Sequence, residues 1–256
     1  MVAVTSTMPN RRSTAPVDPG PCIWDFPDPR IADDDGLIAI GADLAPATLV
    51  HAYRHGAFPW PHGKRNLPWF SPNPRGVLPL DDIAMSKTLR QTIRRSGWTA
   101  TVDAAFGDVI DACSVRQREG TWITPKMRAA YMELHDMGWT HSVEIWDDEE
   151  LVGGCYGVLV GGMFIGESMF HRVTDASKVA LVELGSRLHE GGAGLIDVQL
   201  VTDHLASMGA RPIPRPLYLE LLVELRDDAV SLLCDRLPVS RHLDGPQNGG
   251  PQNKEC

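Results

Sequence analysis

Residues 151–170, LVGGCYGVLVGGMFIGESMF, carry the strongest signal of how this chain folds. Two apolar runs flank Gly161-Gly162, a pair suited to the positive φ angles of a tight turn. The pattern predicts strands over 151–160 and 163–170. A third strand is predicted over 141–146, ahead of the acidic turn at 147–150. We therefore expect two consecutive antiparallel hairpins.

A helix and a further strand follow the hairpins. Residues 175–190 have an amphipathic pattern that ends at Gly191-Gly192. Residues 195–201 are mostly apolar on both faces, as in a covered central strand. Further helices are predicted over 43 or 46 to 55, 86–95, 103–115, 126–137, 204–208 and 217–225. Hairpins followed by a crossover helix and a buried strand predict a mixed α/β sheet.

Composition excludes several classes of protein. The 256 residues are 43% hydrophobic and 22% charged, which excludes a disordered or fibrous chain. No run approaches the roughly 18 apolar residues of a membrane helix, and the first thirty residues lack a signal-peptide core, so we expect a cytoplasmic protein without a membrane partner. Five separated cysteines and nine histidines show no zinc-ligand or disulfide spacing, so no metal is expected.

Changes of composition along the chain predict its domains. Residues 1–20 and 241–256 are polar and are expected to be disordered tails. Residues 21–74 are rich in proline and tryptophan, which predicts a small irregular domain of short helices and loops. The regular pattern described above occupies residues 75–240 and predicts a second domain.

A carboxylate interrupts the apolar strand 163–170. Alternation places Met163, Ile165, Glu167 and Met169 on one face. An unpaired buried charge is costly, so Glu167 should be paired or open into a polar pocket. An ion pair with a nearby cation, Arg172 or Lys178, is the purely structural alternative.

The strand 195–201 repeats this anomaly. Alternation places Asp197 and Gln199 on one face, while Ile196, Val198 and Leu200 occupy the other. The pair could form a network that only specifies packing. Alternatively, Asp197 orients the Gln199 amide, whose carbonyl oxygen then accepts a hydrogen bond from a substrate amine. Together with Glu167 on a neighbouring strand, we favour a site.

The helix predicted over 86–95 carries a basic face. Lys87, Arg90 and Arg94 follow helical spacing, and Arg95 is adjacent. Such a face is often only solvated. In a chain of net charge −9, however, it is also the local patch that a nucleic-acid backbone would require.

Several motifs resemble those of the bacterial leucyl/phenylalanyl-tRNA–protein transferases, in the order found in that family. They are AYRHGAFPW (52–60), WFSPNPR (69–75), TWI (121–123), LVGG (151–154), GESMF (166–170), DASK (175–178), IDVQ (196–199) and DHLASMGA (203–210). The resemblance covers roughly residues 22–226. Several motifs in register make chance similarity a poor explanation.

The resemblance implies a small N-terminal domain followed by a domain of the acyl-coenzyme A N-acyltransferase (GNAT-like) fold. The donor would be aminoacyl-tRNA, in agreement with the missing Q/R-x-x-G-x-G/A pyrophosphate loop between 170 and 180. The implied monomeric enzyme moves Leu, Phe or, less well, Met onto proteins that start with Arg or Lys, which feeds the N-degron pathway. It needs no cofactor. The alternatives are an N-acyltransferase with another donor and a non-catalytic tRNA-binding module.

The resemblance also implies roles for individual residues. Asp197 and Gln199 match a pair that relays hydrogen bonds to the attacking amine, and Glu167 matches an acidic site residue. Trp60 and Trp122 match aromatics near the tRNA 3′-adenosine, and the basic helix face matches a tRNA-binding region. The aminoacyl side-chain pocket maps onto Cys155, Phe164, Gly166, Ser168, Met169, Leu181, Leu184 and Ile196.

The residues themselves predict what this pocket accepts. We expect the face of Met163, Ile165 and Met169 to join the apolar pocket residues of the following helix and strand. Flexible Met side chains adapt to Leu or Phe, whereas a β-branched side chain clashes near the ester.

Overall fold

The computed structural model describes residues 11–12, 15–33, 35–61, 67–115 and 122–243. In these ranges the helices are α1 (Pro46–Arg54), α2 (Lys87–Ser96), α3 (Phe106–Val115), α4 (Pro125–Asp136), α5 (Ala176–Gly191), α6 (Asp203–Ala206) and α7 (Arg215–Leu225). The strands are β1 (Arg11–Arg12), β2 (Leu37–Ile40), β3 (Phe58–Pro59), β4 (Pro68–Phe70), β5 (Arg75–Pro79), β6 (Thr99–Val102), β7 (Thr140–Asp147), β8 (Glu150–Val160), β9 (Met163–His171), β10 (Leu195–Gln199), β11 (Arg211–Ile213), β12 (Leu232–Leu233) and β13 (Leu237–Pro238).

An eight-stranded sheet in the order β11-β5-β10-β9-β8-β7-β6-β13 forms the centre of the molecule. β9 and β10 are parallel, and the other neighbouring strands of this sheet are antiparallel. The expected mixed α/β fold is therefore confirmed. No helix in the described part of the chain is both long and apolar enough to cross a membrane.

Apolar side chains form two clusters on the large sheet. The first cluster contains buried residues of α1, α3, α4 and α7, together with Tyr156 and Ile165 from the sheet. The second cluster contains buried residues of α2 and α5, together with Cys155 and Phe164. Helices thus cover both faces, which explains why the central strands are apolar throughout.

Most elements begin and end close to where the sequence pattern places them. The hairpin strands, α5 and α7 agree to within about two residues. α3 begins at Phe106, three residues late, because Asp103 has a φ of +59° that no helix accommodates. The prediction that a strand reaches residue 201 is wrong, because β10 ends at Gln199.

The segment before residue 75 contains a three-stranded sheet in the order β2-β4-β3, which the expectation of short helices and loops does not include. α1 ends at Arg54, and two residues later Gly56 has a φ of +83°, where an added Cβ would lie 2.5 Å from Leu219 Cδ2. Glycine is required there on both grounds. The large sheet begins at Arg75. We retain a domain boundary at 74/75 as a proposal, and both sides share the first cluster.

Part of each predicted tail is described. Arg11–Arg12 pair with β12, and the Val17 amide donates to the Met137 carbonyl at 2.8 Å. At the other end, a 3₁₀ helix covers Val239–Leu243. The remaining residues of the two predicted tails, 1–10, 13–14 and 244–256, lie outside the described residues.

A β-bulge at Glu167 breaks the alternation predicted for β9. Tyr156 lies opposite Ser168, but Gly157 lies opposite Gly166, so Glu167 is the extra residue. Met169 therefore lies opposite Cys155 and packs on the second cluster, whereas Ile165 belongs to the first. The prediction that Met163, Ile165, Glu167 and Met169 share one face is wrong, because the bulge reverses the faces after Glu167.

The bulge depends on Gly157. A Cβ there would lie 2.2 Å from the Ile165 carbonyl oxygen and 2.6 Å from Phe164 Cε1. Gly157→Ala should lower the free energy of unfolding by about 1–3 kcal/mol, since the neighbouring strand has to shift. Urea denaturation measures this change.

Gly107→Ala is the matched control for this prediction. Gly107 lies in α3, where an added Cβ would have its nearest neighbour at 3.7 Å. The control should gain about 0.5–1 kcal/mol of helix stability. Equal stability of the Gly157→Ala variant and the wild type would show that β9 does not require this close approach.

Candidate active site

The candidate site lies where β9 and β10 stop pairing. Their parallel register runs from Leu195–Met163 to Asp197–Ile165 and then ends. Beyond this point β9 continues beside β8, and β10 pairs with β5 through a second register irregularity between Asp197 and Gln199. The two strands therefore leave an opening at the middle of the sheet, and Gly166 to Met169 along its edge are partly exposed.

Three donors surround the Glu167 carboxylate at this opening. The Tyr53 hydroxyl donates to Oε1 at 2.8 Å, and the Tyr131 hydroxyl donates to Oε2 at 2.9 Å. The Gln199 Nε2 donates to Oε1 at 2.9 Å, across the gap between the strands. The two tyrosine oxygens are 2.5 Å apart.

The structural alternative, an ion pair of Glu167 with Arg172 or Lys178, is not formed. Lys178 pairs with Asp175 at 3.0 Å, and Arg172 donates to the Leu151 carbonyl. Among the described residues, neither Arg172 nor Lys178 is one of the donors that contact Glu167.

The environment of Glu167 sets its acidity. Desolvation raises the pKa of Glu167 to about 7, although hydrogen bonds from Tyr53 and Tyr131 act in the opposite direction. Burial, and then the Glu167 charge, raise the pKa of both tyrosines well above the usual range. The tyrosines therefore stay protonated as donors, while Glu167 can gain or lose a proton near neutral pH.

Asp197 is held by other groups. It is fully buried, and Arg75 contacts both of its oxygens, with Nε at 2.9 Å and Nη2 at 2.6 Å. The Tyr218 hydroxyl donates to Oδ2 at 2.8 Å, and the Gln199 backbone amide donates to Oδ1 at 2.8 Å. The hypothesis that Asp197 orients the Gln199 side-chain amide is therefore wrong: Asp197 holds the backbone of Gln199, and Glu167 orients the amide.

Gln199 is the end point of β10 and has an unusual backbone. Its φ of +63° lies in the left-handed region that a residue with a side chain rarely adopts. Because Nε2 points at Glu167, the carbonyl Oε1 is left as an acceptor at the partly exposed edge of the opening. The expected division of β10 faces holds for Ile196 and Val198, which pack on the second cluster, but Leu200 lies outside the strand and is exposed.

The residues of the expected aminoacyl pocket are mostly together. Cys155, Phe164, Leu181, Leu184 and Ile196 are buried in the second cluster, and Met169 packs against it. Gly166 lines the opening, where an added Cβ would be 3.6 Å from the Asp197 carbonyl oxygen.

Three residues expected near this pocket lie elsewhere. Ser168 lies opposite Tyr156 and hence on the face of the first cluster. Met163 and Ile165 also lie in the first cluster, so the prediction that they join Leu181 in one pocket is wrong.

Two expected aromatic residues lie on the same side as the tyrosines. Trp60 and Trp122 are partly buried and pack against the first cluster. Trp60 is also in a T-shaped arrangement with Phe70 at 5.8 Å.

The expected basic face lies on α2. Leu89 and Ile93 turn inward, whereas Lys87, Arg94 and Arg95 are exposed and Arg90 is partly exposed. Within the described residues, none of these four cations forms an ion pair. Thr92 ties the helix to Asp175, at the start of α5, with a hydrogen bond of 3.1 Å.

In the described part of the chain, no cluster of His, Cys, Asp and Glu could hold a metal ion.

Comparison with known proteins supports one family. A family model for leucyl/phenylalanyl-tRNA protein transferase matches residues 77–223, and a model for the N-terminal domain of these proteins matches 42–73. The chain belongs to this family. A leucyl/phenylalanyl-tRNA–protein transferase of Pseudoalteromonas atlantica is 50% identical over 203 residues, which are 78% of this chain and 87% of the relative. One of Thiobacillus denitrificans is 51% identical over 76% of this chain and 86% of the relative.

Solved structures give weaker likenesses. The structure of L-PGS from Bacillus licheniformis is 14% identical, with a TM-score of 0.37 over 53% of this chain and 50% of that chain. The C-terminal domain of a putative lysylphosphatidylglycerol synthetase from Agrobacterium fabrum is 16% identical, also at 0.37, over 63% of this chain and 54% of that chain.

Four residues of the candidate site were not among the site residues predicted from the sequence. They are Tyr53, Arg75, Tyr131 and Tyr218. Two of them lie inside the quoted motifs, AYRHGAFPW and WFSPNPR, which is the signal that could have found them. The other two lie on the amphipathic helices α4 and α7, where a buried tyrosine has no distinctive sequence context.

The buried ion pair allows a prediction about stability. Arg75→Met should destabilise the transferase by about 3–5 kcal/mol, because it leaves the Asp197 carboxylate buried without its cation. Urea denaturation of the purified protein checks this value.

The exposed pair of Arg30 and Asp28 provides the control. The Arg30 side chain is 71% exposed, so Arg30→Met should leave the urea midpoint unchanged. An Arg75→Met variant as stable as the wild type would mean that the pair does not anchor β5 to β10.

Proposed function

We propose that the transferase moves Leu, Phe and, less well, Met from aminoacyl-tRNA to the α-amino group of proteins that begin with Arg or Lys, feeding the N-degron pathway. The observation that carries the proposal is the contact between Glu167 and Gln199 across the opening between β9 and β10. This contact sets an acceptor oxygen and a carboxylate with a pKa of about 7 side by side at a partly exposed edge.

The reaction itself requires one proton to move twice. The acceptor amine donates a hydrogen bond to Gln199 Oε1, and its nitrogen attacks the ester carbonyl carbon of the aminoacyl-tRNA. As the C–N bond forms, the nitrogen loses a proton to the Glu167 carboxylate. The bond from the carbonyl carbon to the ribose oxygen then breaks, and this oxygen takes the proton from Glu167. The enzyme returns to its starting state.

Asp197 acts without touching the substrate in this proposal. Its two oxygens are occupied by Arg75, Tyr218 and the Gln199 backbone amide. Its contribution is to fix Gln199, a narrower role than the relay to the amine that the family resemblance implies.

The donor side chain would enter the second cluster. Cys155, Phe164, Met169, Leu181, Leu184 and Ile196 supply an apolar surface beside Gly166, whose missing side chain leaves room at the opening. Met169 adapts to unbranched or γ-branched side chains, and crowding near the ester disfavours Ile and Val. Ser168 contacts the reacting end from the opposite face, and Trp60 and Trp122 stack on the 3′-adenosine.

The proposed enzyme works as a monomer in the cytoplasm. Every residue given a role above comes from a single chain, so no second copy is needed to complete the site. The charged tRNA named in the family description is the support for a cytoplasmic location in this proposal.

Single-turnover transfer of labelled leucine to an Arg-initiated peptide tests the proposal. Glu167→Gln should slow the chemical step by about 10²–10⁴-fold, as expected for loss of a general base, and abolish the rise in rate through pH 7. Gln199→Ala should slow the step less, because the ester and Glu167 remain. Asp197→Asn should lower the rate while leaving the affinity for charged tRNA nearly intact.

Tyr156→Phe is the matched control. Tyr156 is fully buried, and its hydroxyl has no hydrogen-bond partner among the described residues, so the variant should transfer at the wild-type rate. Circular dichroism checks that each variant is folded. Wild-type rates in folded Glu167→Gln and Gln199→Ala variants would contradict the proposal and leave the reactivity of the ester as the main chemical driver.

The α2 cations are proposed to bind the tRNA backbone. Four cations without ion-pair partners in the described residues offer charge that phosphates can neutralise. The bond from Thr92 to Asp175 places this helix beside α5, which directly follows β9, so bound tRNA can reach the opening.

Replacing Lys87, Arg90 and Arg94 together with Ala should weaken tRNA binding to a similar degree for different tRNA sequences. The slope of log K against log salt should fall in magnitude by about 0.7–0.9 for each phosphate that the variant no longer neutralises. Filter binding across a salt series measures this slope. Arg211→Ala is the control, because Arg211 is exposed but already paired with Asp82. An unchanged slope in the triple variant would make α2 a solvated face.

A further inference from the structure

Tyr218 lies behind the site, in the first turns of α7. The residue is fully buried, and its hydroxyl donates to Asp197 Oδ2 at 2.8 Å. Its ring faces the Arg75 guanidinium, whose carbon is 4.5 Å from the ring centroid. Tyr218 therefore contacts both members of the buried ion pair.

Arg75 is fixed from several directions. Phe58 covers it at 4.8 Å from the ring centroid, and Nη1 donates to the Gly56 carbonyl at 3.3 Å. Together with the Tyr218 ring, these contacts restrict the guanidinium to one orientation relative to the Asp197 carboxylate. Two parallel hydrogen bonds between Arg and a carboxylate add geometric definition as well as energy.

Asp197, held in place by Arg75 and Tyr218, in turn fixes the backbone of Gln199. Its Oδ1 accepts the Gln199 backbone amide at 2.8 Å, while the φ of Gln199 is +63°. A left-handed conformation costs a non-glycine residue of this kind free energy and persists only when neighbouring groups hold it. In this conformation the Gln199 Nε2 donates to Glu167 Oε1 at 2.9 Å.

We propose that Arg75 and Tyr218 are positioning residues that act through Asp197 to hold Gln199 in the conformation that aims its amide into the opening. Neither residue lies at the reacting atoms. The expected effect on kcat rests on the proposed function. The expected effect on hydrogen exchange of the Gln199 amide rests on the contacts alone.

A purely structural role for Tyr218 predicts something different. If the hydroxyl only contributes to stability, its loss affects the whole fold, and any change in rate adds to the effect of other variants. If it acts through Gln199, the loss of the hydroxyl has no further effect once the Gln199 side chain is gone. A double-mutant cycle separates the two.

Tyr218→Phe is the variant of choice because it keeps the ring against Arg75 and removes only the hydroxyl. We expect kcat to fall by about tenfold, with KM for leucyl-tRNA unchanged, as for loss of the hydrogen bond to the Asp197 carboxylate together with the weaker one accepted from Arg75 Nη2 at 3.3 Å. In a Gln199→Ala background, Tyr218→Phe should cause no additional fall. Tyr156→Phe, which removes a buried hydroxyl without a partner in the described residues, should leave kcat unchanged in both backgrounds.

Hydrogen exchange of the Gln199 backbone amide provides a readout independent of activity. Tyr218→Phe should speed this exchange, while amides of β7 and β8 exchange as in the wild type. An equal fall in kcat in both backgrounds, or unchanged exchange at Gln199, would overturn the positioning role. A third outcome is faster exchange of the Gln199 amide in Tyr218→Phe, combined with a wild-type transfer rate in Gln199→Ala. That outcome would support the positioning of Gln199 by Tyr218 but would contradict the proposed role of Gln199 in transfer.

Discussion

The buried ion pair between Arg75 and Asp197 is the interaction on which the rest of the site depends. It joins β5 to β10. Asp197 also accepts a hydrogen bond from Tyr218 of α7, and Arg75 donates one to the Gly56 carbonyl, just after α1. Removing two charges from water costs about as much as their attraction returns, so such a pair adds little net stability. Its consequence is geometric, because elements distant in the sequence meet in a single arrangement.

Two irregularities turn a continuous sheet into a site. The bulge at Glu167 brings a carboxylate to the first cluster and returns Met169 to the second. The irregularity between Asp197 and Gln199 ends the pairing of β10 where β9 continues. Because both occur at the same level of the sheet, the strands part there, beside Glu167 and the partly exposed edge at Gly166 to Met169.

The sequence predicted the layers and three of the polar residues for a simple reason. Glu167, Asp197 and Gln199 are conspicuous because they interrupt strands that are otherwise apolar. Their partners were not predictable, since Tyr53 and Tyr131 lie 114 and 36 residues away from Glu167 and reach it only through packing of helices. The bulge also leaves no trace in a period-two pattern, so simple alternation predicts the wrong face for Met169. β5 was missed because Arg75 and Pro79 at its ends conceal a short buried strand.

The proposed chemistry depends on Glu167, which exchanges a proton near neutral pH while the neighbouring tyrosine hydroxyls remain protonated. Carbon-13 NMR of carboxyl-labelled glutamate, with Glu167→Gln used to assign the signal, measures this directly. The account predicts that the Glu167 signal titrates with a pKa of about 7, set by desolvation, and that Tyr131→Phe moves the midpoint to higher pH by removing a donor to the carboxylate. A midpoint near the ordinary glutamate value of about 4.3 would contradict it.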